Sequence, residues 1–144
     1  EMKNVRVAFE FNDEDAIPVA HAEVRCHWIF DIKMATLQRK ARLVANGNET
    51  DAPKDITFSS VVSRDSVRLF FLLAALNDVE ILSCDIQNAY LTAQTKEKLW
   101  TRVDAAFGAD KGRPAKIVRA LYGLKASGAC FRAHLANTLR IMDW

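Results

Sequence analysis

The spacing of apolar residues changes repeatedly along this 144-residue chain, from short strand-like runs to the period of about 3.6 residues that is typical of helices. Strand-like segments occur at 24–33, 39–45, 79–86, 98–103 and 116–121, and the short connection between the first two suggests a hairpin. Helical spacing occurs at 63–76 and 127–142, and Ser63 is a suitable N-cap for the first helix. Because strands and helices are interleaved in one domain-sized chain, the sequence favours an α+β or α/β fold.

Three segments carry expectations about packing. The helix from Ser63 to Leu76 has additional leucines that widen its apolar stripe, so we expect it to be well buried. The segment from Val79 to Ile86 is short, apolar and partly β-branched, which predicts a core strand. Residues 1–23 include an acidic, weakly patterned stretch and are expected to form a tail or an edge segment.

Composition excludes several classes of protein. Half of the residues are hydrophobic and 26% are charged, which is typical of a globular domain. The longest apolar run, Leu69 to Leu76, is much shorter than the roughly 20 residues of a spanning helix, so we expect no membrane partner. Cys26, Cys84 and Cys130 form no CxxC pair, which argues against a disulfide framework or zinc site and fits a reducing compartment. Because the first residue is Glu1, we expect a part of a longer protein.

Basic residues are concentrated in the C-terminal part, although the formal net charge is only +2. Between Lys111 and Arg140 the chain has seven Lys or Arg residues and no acidic residue. This pattern predicts a local basic surface that could hold a polyanion. A solvated face that keeps the domain soluble explains the same pattern equally well.

The stretch from Ser83 to Leu91 contains the most conspicuous acidic residue. Asp85 is expected at the end of an apolar strand, where burial of a carboxylate is costly unless it is paired or binds a cation. It could therefore bind a hard cation such as Mg²⁺, which prefers oxygen ligands. Taken alone, however, Asp85 is better explained as a capping residue for the turn into the next helix.

Five short motifs follow one another in the order of a known family. They are Trp28-Ile29-Phe30-Asp31-Ile32-Lys33, Arg39-Lys40-Ala41-Arg42-Leu43-Val44-Ala45, Phe58-Ser59-Ser60-Val61-Val62 followed by Arg68, Asp85-Ile86-Gln87-Asn88-Ala89-Tyr90-Leu91, and Leu121-Tyr122-Gly123-Leu124-Lys125. Together they resemble the reverse transcriptase of copia-type LTR retrotransposons, and the wording of 125–129 most resembles such elements from diatoms and related algae. The resemblance covers residues 24–142 and implies reverse-transcriptase fingers and a partial palm, a small, mostly antiparallel sheet packed with two main helices.

The resemblance assigns roles to the motif that contains Asp85. In the family, the aspartate at this position binds both magnesium ions of a two-metal polymerase site, so Asp85 would be catalytic and the backbone carbonyl of Ile86 would be a further ligand. Tyr90 matches an aromatic residue that floors the sugar pocket and excludes a 2′-hydroxyl. Core packing would explain Tyr90 if the resemblance were ignored.

Two other motifs imply contacts with the dNTP and with an RNA or DNA template-primer. Lys40 and Arg42 are two residues apart, so a strand places them on one face, where they would clamp the triphosphate. The alternative is an exposed charged strand face. Tyr122, Gly123 and Lys125 would lie near the template, with Gly123 permitting close backbone approach. A simple Gly-containing turn explains these three residues equally well.

Two differences from the family pattern limit which of the family's properties can be expected of this chain. The common form continues Gln-Ala-Pro-Arg-Ala-Trp, whereas this chain has 126–131 as Ala-Ser-Gly-Ala-Cys-Phe. The family's second catalytic motif contains an Asp-Asp pair, and this sequence has none. We therefore expect a fragment that is inactive alone, acts with the remainder of a Pol polyprotein, and is intracellular, in a cytoplasmic virus-like particle or the nucleus. The alternatives are a catalytically dead remnant that binds nucleic acid non-specifically and an unrelated soluble α+β domain.

Overall fold

A computed structural model describes residues 2–11, 16–53 and 57–144. Its helices are α1 (Met2–Val5), α2 (Arg64–Leu76), α3 (Ala89–Thr92) and α4 (Ser127–Ile141). Its strands are β1 (Phe9–Phe11), β2 (Ala22–Glu23), β3 (Cys26–Lys33), β4 (Gln38–Ala45), β5 (Gln94–Arg102) and β6 (Pro114–Arg119). Short 3₁₀ segments cover Arg6–Ala8, Gly47–Glu49 and Ala105–Asp110. The mixture of helices and sheets confirms the predicted α+β class.

The strands form two sheets. One has the order β1-β6-β5-β2, in which β6 is antiparallel to both of its neighbours and the two-residue strand β2 is parallel to β5. The other sheet is the hairpin β3–β4, whose register runs from Cys26 opposite Ala45 to Lys33 opposite Gln38. The hairpin predicted from the strand-like segments 24–33 and 39–45 is therefore confirmed, and β1 lies at an edge of the larger sheet.

One apolar core joins the larger sheet, the base of the hairpin and the N-terminal segment. Its buried members are Val5, Ala8, Phe9, Val24, Leu43, Ala45, Leu91, Leu99, Val103, Phe107, Ala115, Ile117, Leu121 and Leu124. Phe9 meets Phe107 edge to face, with their ring centroids 5.3 Å apart. At the hairpin base, Trp28 donates a 2.7 Å hydrogen bond from Nε1 to Asp104. Burial raises the pKa of the Cys26 thiol to about 11, so this group is protonated at neutral pH.

The N-terminal segment is also held by charge. The carboxylate of Asp110 accepts hydrogen bonds from the guanidinium groups of Arg113 and Arg6. Both guanidinium groups also lie near the ring of Phe11, with Arg113 at 5.3 Å and Arg6 at 5.6 Å from its centroid. The hydrogen bond from Arg113 and then that from Arg6 hold the pKa of Asp110 below its usual value. This arrangement ties β1 to the connection between β5 and β6.

Helix α2 forms as predicted but is not buried. The Ser63 hydroxyl accepts a 3.0 Å hydrogen bond from the backbone N–H of Ser66, which confirms the N-cap. Of the α2 side chains, only Ala74 is buried, and Phe70 and Leu72 are 57% and 55% exposed. The expectation of a well-buried helix is wrong, because α2 is not among the elements that pack closely against one another in the described ranges. Of the two main helices, only α4 packs on the sheet.

The segment from Val79 to Ile86 is not a strand. It has no regular structure, and its side chains are exposed, including Leu82 at 88%. The expectation of a core strand is wrong because an extended segment needs a hydrogen-bonded neighbour, and the strands in the described ranges pair elsewhere.

No helix in the described ranges combines the length and the apolar character that are needed to cross a membrane.

Candidate functional site

Three of the sequence motifs meet in a half-buried group of side chains, which we call the aromatic cluster: Arg42, Tyr90, Tyr122 and Phe131. The ring centroids of Tyr90 and Tyr122 are 5.0 Å apart, and those of Tyr90 and Phe131 are 6.2 Å apart. The guanidinium carbon of Arg42 lies 6.0 Å from the Tyr122 ring centroid, within the range of a cation–π contact. The fold therefore brings together a basic residue and three rings from β4, α3 and the region after β6.

The position of Tyr90 is set by a tight turn and a short helix. Asn88 adopts a left-handed conformation with φ 52°, which asparagine tolerates better than most residues, and its carbonyl accepts from the N–H of Leu91 at 2.8 Å. The side chain of Leu91 is buried in the core, which leaves the neighbouring Tyr90 at the edge of the core. The carbonyl of Ala93 then accepts a 3.0 Å hydrogen bond from the N–H of Ala120, next to the end of β6.

The position of Tyr122 is set by contact with the hairpin. Tyr122 forms a parallel bridge with Val44, and its carbonyl accepts from the N–H of Ala45 at 2.8 Å. Gly123 has φ 89°, and a Cβ there would lie 2.0 Å from the carbonyl oxygen of Ala45. A Cβ on Gly47 would lie 2.1 Å from the carbonyl oxygen of Gly123. The close backbone approach that Gly123 permits is therefore made, in this structure, to the chain itself.

The start of α4 is fixed by three polar contacts. The Lys125 ammonium donates to the carbonyl of Thr50, and the N–H of Ala126 donates to Glu97 at 3.1 Å. The buried hydroxyl of Ser127 donates to the carbonyl of Leu121 at 2.6 Å. Lys125 thus has an internal partner, and Glu97 has a structural role that the sequence did not suggest.

Asp85, Ile86 and Lys40 lie outside the aromatic cluster. The expected strand-end position of Asp85 is wrong, because its side chain is exposed in the irregular segment that follows α2. Ile86, the next residue, is 41% exposed. Lys40 shares a face of β4 with Arg42, as the two-residue spacing predicted, but it is exposed nearer the tip of the hairpin.

Asp85 and Ile86 offer oxygen atoms but are not part of a metal-binding group in the described residues. The carboxylate of Asp85 and the carbonyl of Ile86 are oxygen donors of the kind that Mg²⁺ prefers. Within the ranges that the structure describes, however, no three His, Cys, Asp or Glu residues are grouped so that they could hold a metal ion.

Comparison with known families identifies the class of protein. The family model described as "Reverse transcriptase (RNA-dependent DNA polymerase)" matches residues 13–144, which is nearly the whole chain. The chain therefore belongs to the reverse transcriptase family, and its curated relatives place it with the Pol polyproteins of copia-type LTR retrotransposons.

Two relatives illustrate the relationship. The chain is 31% identical over 117 residues to the Retrovirus-related Pol polyprotein from transposon TNT 1-94 of Nicotiana tabacum, an alignment that covers 76% of this chain and 9% of that protein. It is 35% identical over 95 residues to the Transposon Ty1-BL Gag-Pol polyprotein of Saccharomyces cerevisiae, with coverage of 62% and 5%. The chain thus spans less than a tenth of either relative. Comparison with solved structures gave no match.

One member of the aromatic cluster was not predicted. Phe131 was noted in the sequence only because it stands where the common family form has Trp. The exchange of one aromatic residue for another at this position was the signal that could have indicated a preserved ring contact.

Proposed function

We propose that this chain forms the fingers and the first half of the palm of an RNA-directed DNA polymerase, within residues 24–142, and that residues 1–23 form a tail or an edge segment. The observation that carries the proposal is the convergence of Arg42, Tyr90 and Tyr122, which come from three separate family motifs, into one half-buried cluster. An arrangement of this kind can hold a nucleotide, because a cation binds phosphate and a ring packs against a sugar.

In this proposal each predicted residue has a distinct task. Arg42 and Lys40 bind the triphosphate of the incoming dNTP, Arg42 from the cluster and Lys40 from the exposed part of β4. Tyr90 floors the sugar pocket and excludes a 2′-hydroxyl. The segment of Tyr122, Gly123 and Lys125 lies along the template-primer, held in place by its contacts with β4 and Thr50.

Asp85 is proposed as the catalytic carboxylate. Reverse transcriptases generally use divalent metal ions, and in this proposal Asp85 and the carbonyl of Ile86 supply part of the coordination of two Mg²⁺ ions. Bound there, the ions would polarise the reacting phosphate and stabilise its charge. In the same proposal, the other metal ligands come from outside this pair of residues, and the chain acts together with the rest of the Pol polyprotein. Its proposed location is intracellular, in a cytoplasmic virus-like particle or the nucleus.

Primer extension tests the proposal. The longest uninterrupted reading frame that contains this chain is expected to extend a primer with dNTPs, whereas the 144-residue chain alone is expected to extend none. In the longer protein, Asp85→Asn should lower the rate by about 1,000-fold or more, because the amide keeps the shape but loses the charge that binds cations.

The matched control is Asp78→Asn, at the start of the same exposed segment. Asp78 has φ 52°, which asparagine also adopts, so this variant should keep its activity. Activity of the Asp85→Asn protein equal to that of the control would refute the assignment of the catalytic carboxylate.

The alternative function, a module that binds nucleic acid by charge alone, receives less support. Several cations of the basic segment are engaged within the chain. Arg113 bonds to Asp110, Lys116 lies 3.6 Å from Glu10, Arg119 donates to the Thr92 carbonyl, Lys125 donates to the Thr50 carbonyl, and Arg140 donates to Asn137. Among these five, Arg113 and Lys116 are paired with carboxylates and therefore offer less charge to a polyanion, whereas the other three bond to neutral groups and keep their charge.

A further inference from the structure

The ring of Tyr90 is contacted by two other rings from two different parts of the chain. Tyr122 approaches it with an interplanar angle of 54°, and Phe131 approaches it edge to face at 67°. Helix α3, which carries Tyr90, is only four residues long. A helix of one turn has little stability of its own, so the orientation of Tyr90 depends on what its side chain touches.

We infer that Phe131 is a positioning residue that holds the Tyr90 ring against Tyr122 and thereby determines how strictly the site excludes a ribonucleotide. The inference rests on the proposed sugar-pocket role of Tyr90. It gives a role to Phe131 in α4, a position at which this chain differs from the common family sequence.

The anchoring of α4 makes Phe131 a fixed support. Ser127 lies one helical turn before Phe131, so the two side chains project from the same side of α4. Because Ser127 is buried and bonds to the carbonyl of Leu121, that side of α4 is tied to the residue directly before Tyr122. Phe131 and Tyr122 are therefore held by the same local framework, and Tyr90 lies in contact with both.

The cluster is also accessible. Tyr90, Tyr122 and Phe131 are all half-buried, so one part of each residue faces solvent while another part packs. Edge-to-face contact restricts ring orientation, because the positive edge of one ring prefers the negative face of the other. Loss of the Phe131 edge would let the Tyr90 ring rotate and would weaken a steric barrier at its exposed side.

The first test uses the 144-residue chain itself, which contains two tyrosines. Ring-labelled tyrosine gives two sets of NMR signals, and Tyr122→Phe assigns them. Phe131→Ala is expected to shift the Tyr90 signals, because a neighbouring ring current is removed. Phe131→Leu gives the same readout with less loss of volume if the alanine variant does not fold. Unchanged Tyr90 signals in a folded variant would overturn the inference.

The matched control is Leu135→Ala. Leu135 lies one turn further along α4 and is also half-buried, but it brings no ring to the cluster. Its replacement should leave the Tyr90 signals in place. An equal shift in this variant would show that Tyr90 responds to general loosening of α4, which would also overturn the inference.

The second test measures sugar selectivity in the active, longer protein. Phe131→Ala should lower the ratio of kcat/KM for dNTP over rNTP by about tenfold, the scale of a small change in pocket shape. Phe131→Trp should keep the ratio near that of the parent protein, because it restores an aromatic edge. The double variant Tyr90→Ala/Phe131→Ala should have the same dNTP-over-rNTP ratio as Tyr90→Ala alone, because Phe131 acts on selectivity through the Tyr90 ring.

The two possible failures are distinguishable. If Tyr90→Ala leaves the ratio unchanged, the proposed sugar pocket is wrong. If Tyr90→Ala lowers the ratio and Phe131→Ala does not, the sugar pocket stands and the positioning role of Phe131 is wrong.

Discussion

Helix α2 and the segment after it contrast with the unit formed by the four-stranded sheet, the base of the hairpin and the first part of α4. Both regions are rich in leucine and phenylalanine, but Leu121 in the sheet unit is 1% exposed whereas Leu72 in α2 is 55% exposed. The difference does not lie in composition or local propensity. It lies in whether another element of the described chain covers the apolar side chains. An apolar pattern thus indicates that a segment requires a packing partner, but it does not show which element provides the contact.

The contrast also divides the proposed site. Arg42, Tyr90, Tyr122 and Phe131 belong to the packed unit, whereas Asp85 and Ile86 belong to the exposed region. The residues proposed to contact the nucleotide are thus held by the packed unit, and the proposed catalytic carboxylate lies where the described chain provides the least support. An element that covers α2 and the segment from Val79 to Ile86 would therefore be expected to order Asp85 as well.

The largest expected effect comes from one substitution made in each region. Leu121→Ala should lower the free energy of unfolding by about 2–5 kcal/mol, because it removes a buried side chain and leaves a cavity. Leu72→Ala should change it by no more than about 0.5 kcal/mol, because the side chain is half exposed and alanine is a good helix former. Urea denaturation of the 144-residue chain measures both. An equal loss in the two variants would mean that α2 is covered in solution.

The sequence predicted local features better than long-range ones, and the reason is physical. The Ser63 cap and the β3–β4 hairpin follow from residues that are close in the chain, and both are confirmed. The exposure of α2 could not be predicted, since burial depends on elements that are distant in the sequence.

The candidate site shows the same limit. The approach of Tyr122 to Arg42 requires the bridge between Val44 and Tyr122, a contact that no local pattern encodes. The family resemblance selected these residues without showing that they touch, and it did not indicate that Phe131 completes the group. Their roles in binding and catalysis stay predictions.

A smaller effect on the free energy of unfolding is expected when two glycines with similar φ values but different surroundings are replaced by alanine. Gly123 and Gly112 both have positive φ values, 89° and 83°, but a Cβ on Gly112 meets nothing within 4 Å. Gly123→Ala should therefore cost about 1–3 kcal/mol more than Gly112→Ala, since backbone strain is common to both and only Gly123 adds a clash with Ala45. Thermal or urea unfolding of the two variants tests this. Equal losses of stability in the two variants would show that the backbone at the contact between the hairpin and Tyr122 can shift to accommodate a Cβ.

The smallest expected effect is a dependence of stability on pH that originates in the packed unit. Hydrogen bonds from Arg113 and Arg6 lower the pKa of Asp110, so the folded protein holds this carboxylate ionised at a lower pH than the unfolded chain does. Its contribution to stability is therefore complete above the ordinary Asp pKa of about 4 and is lost as the pH falls through the lower folded-state value. Asp110→Asn should reduce stability at neutral pH and flatten the acid limb of the curve.

The exposed region provides the matched control for the loss of stability at neutral pH. Asp65 lies 3.6 Å from Arg68 on α2, and its side chain is 91% exposed, so the pair is well solvated and should contribute little. Asp65→Asn is therefore expected to change the free energy of unfolding at neutral pH less than Asp110→Asn does, as measured by urea unfolding. If the two variants lost equal stability, charge would stabilise α2 as firmly as it holds β1, and the contrast between the two regions would not extend to electrostatics.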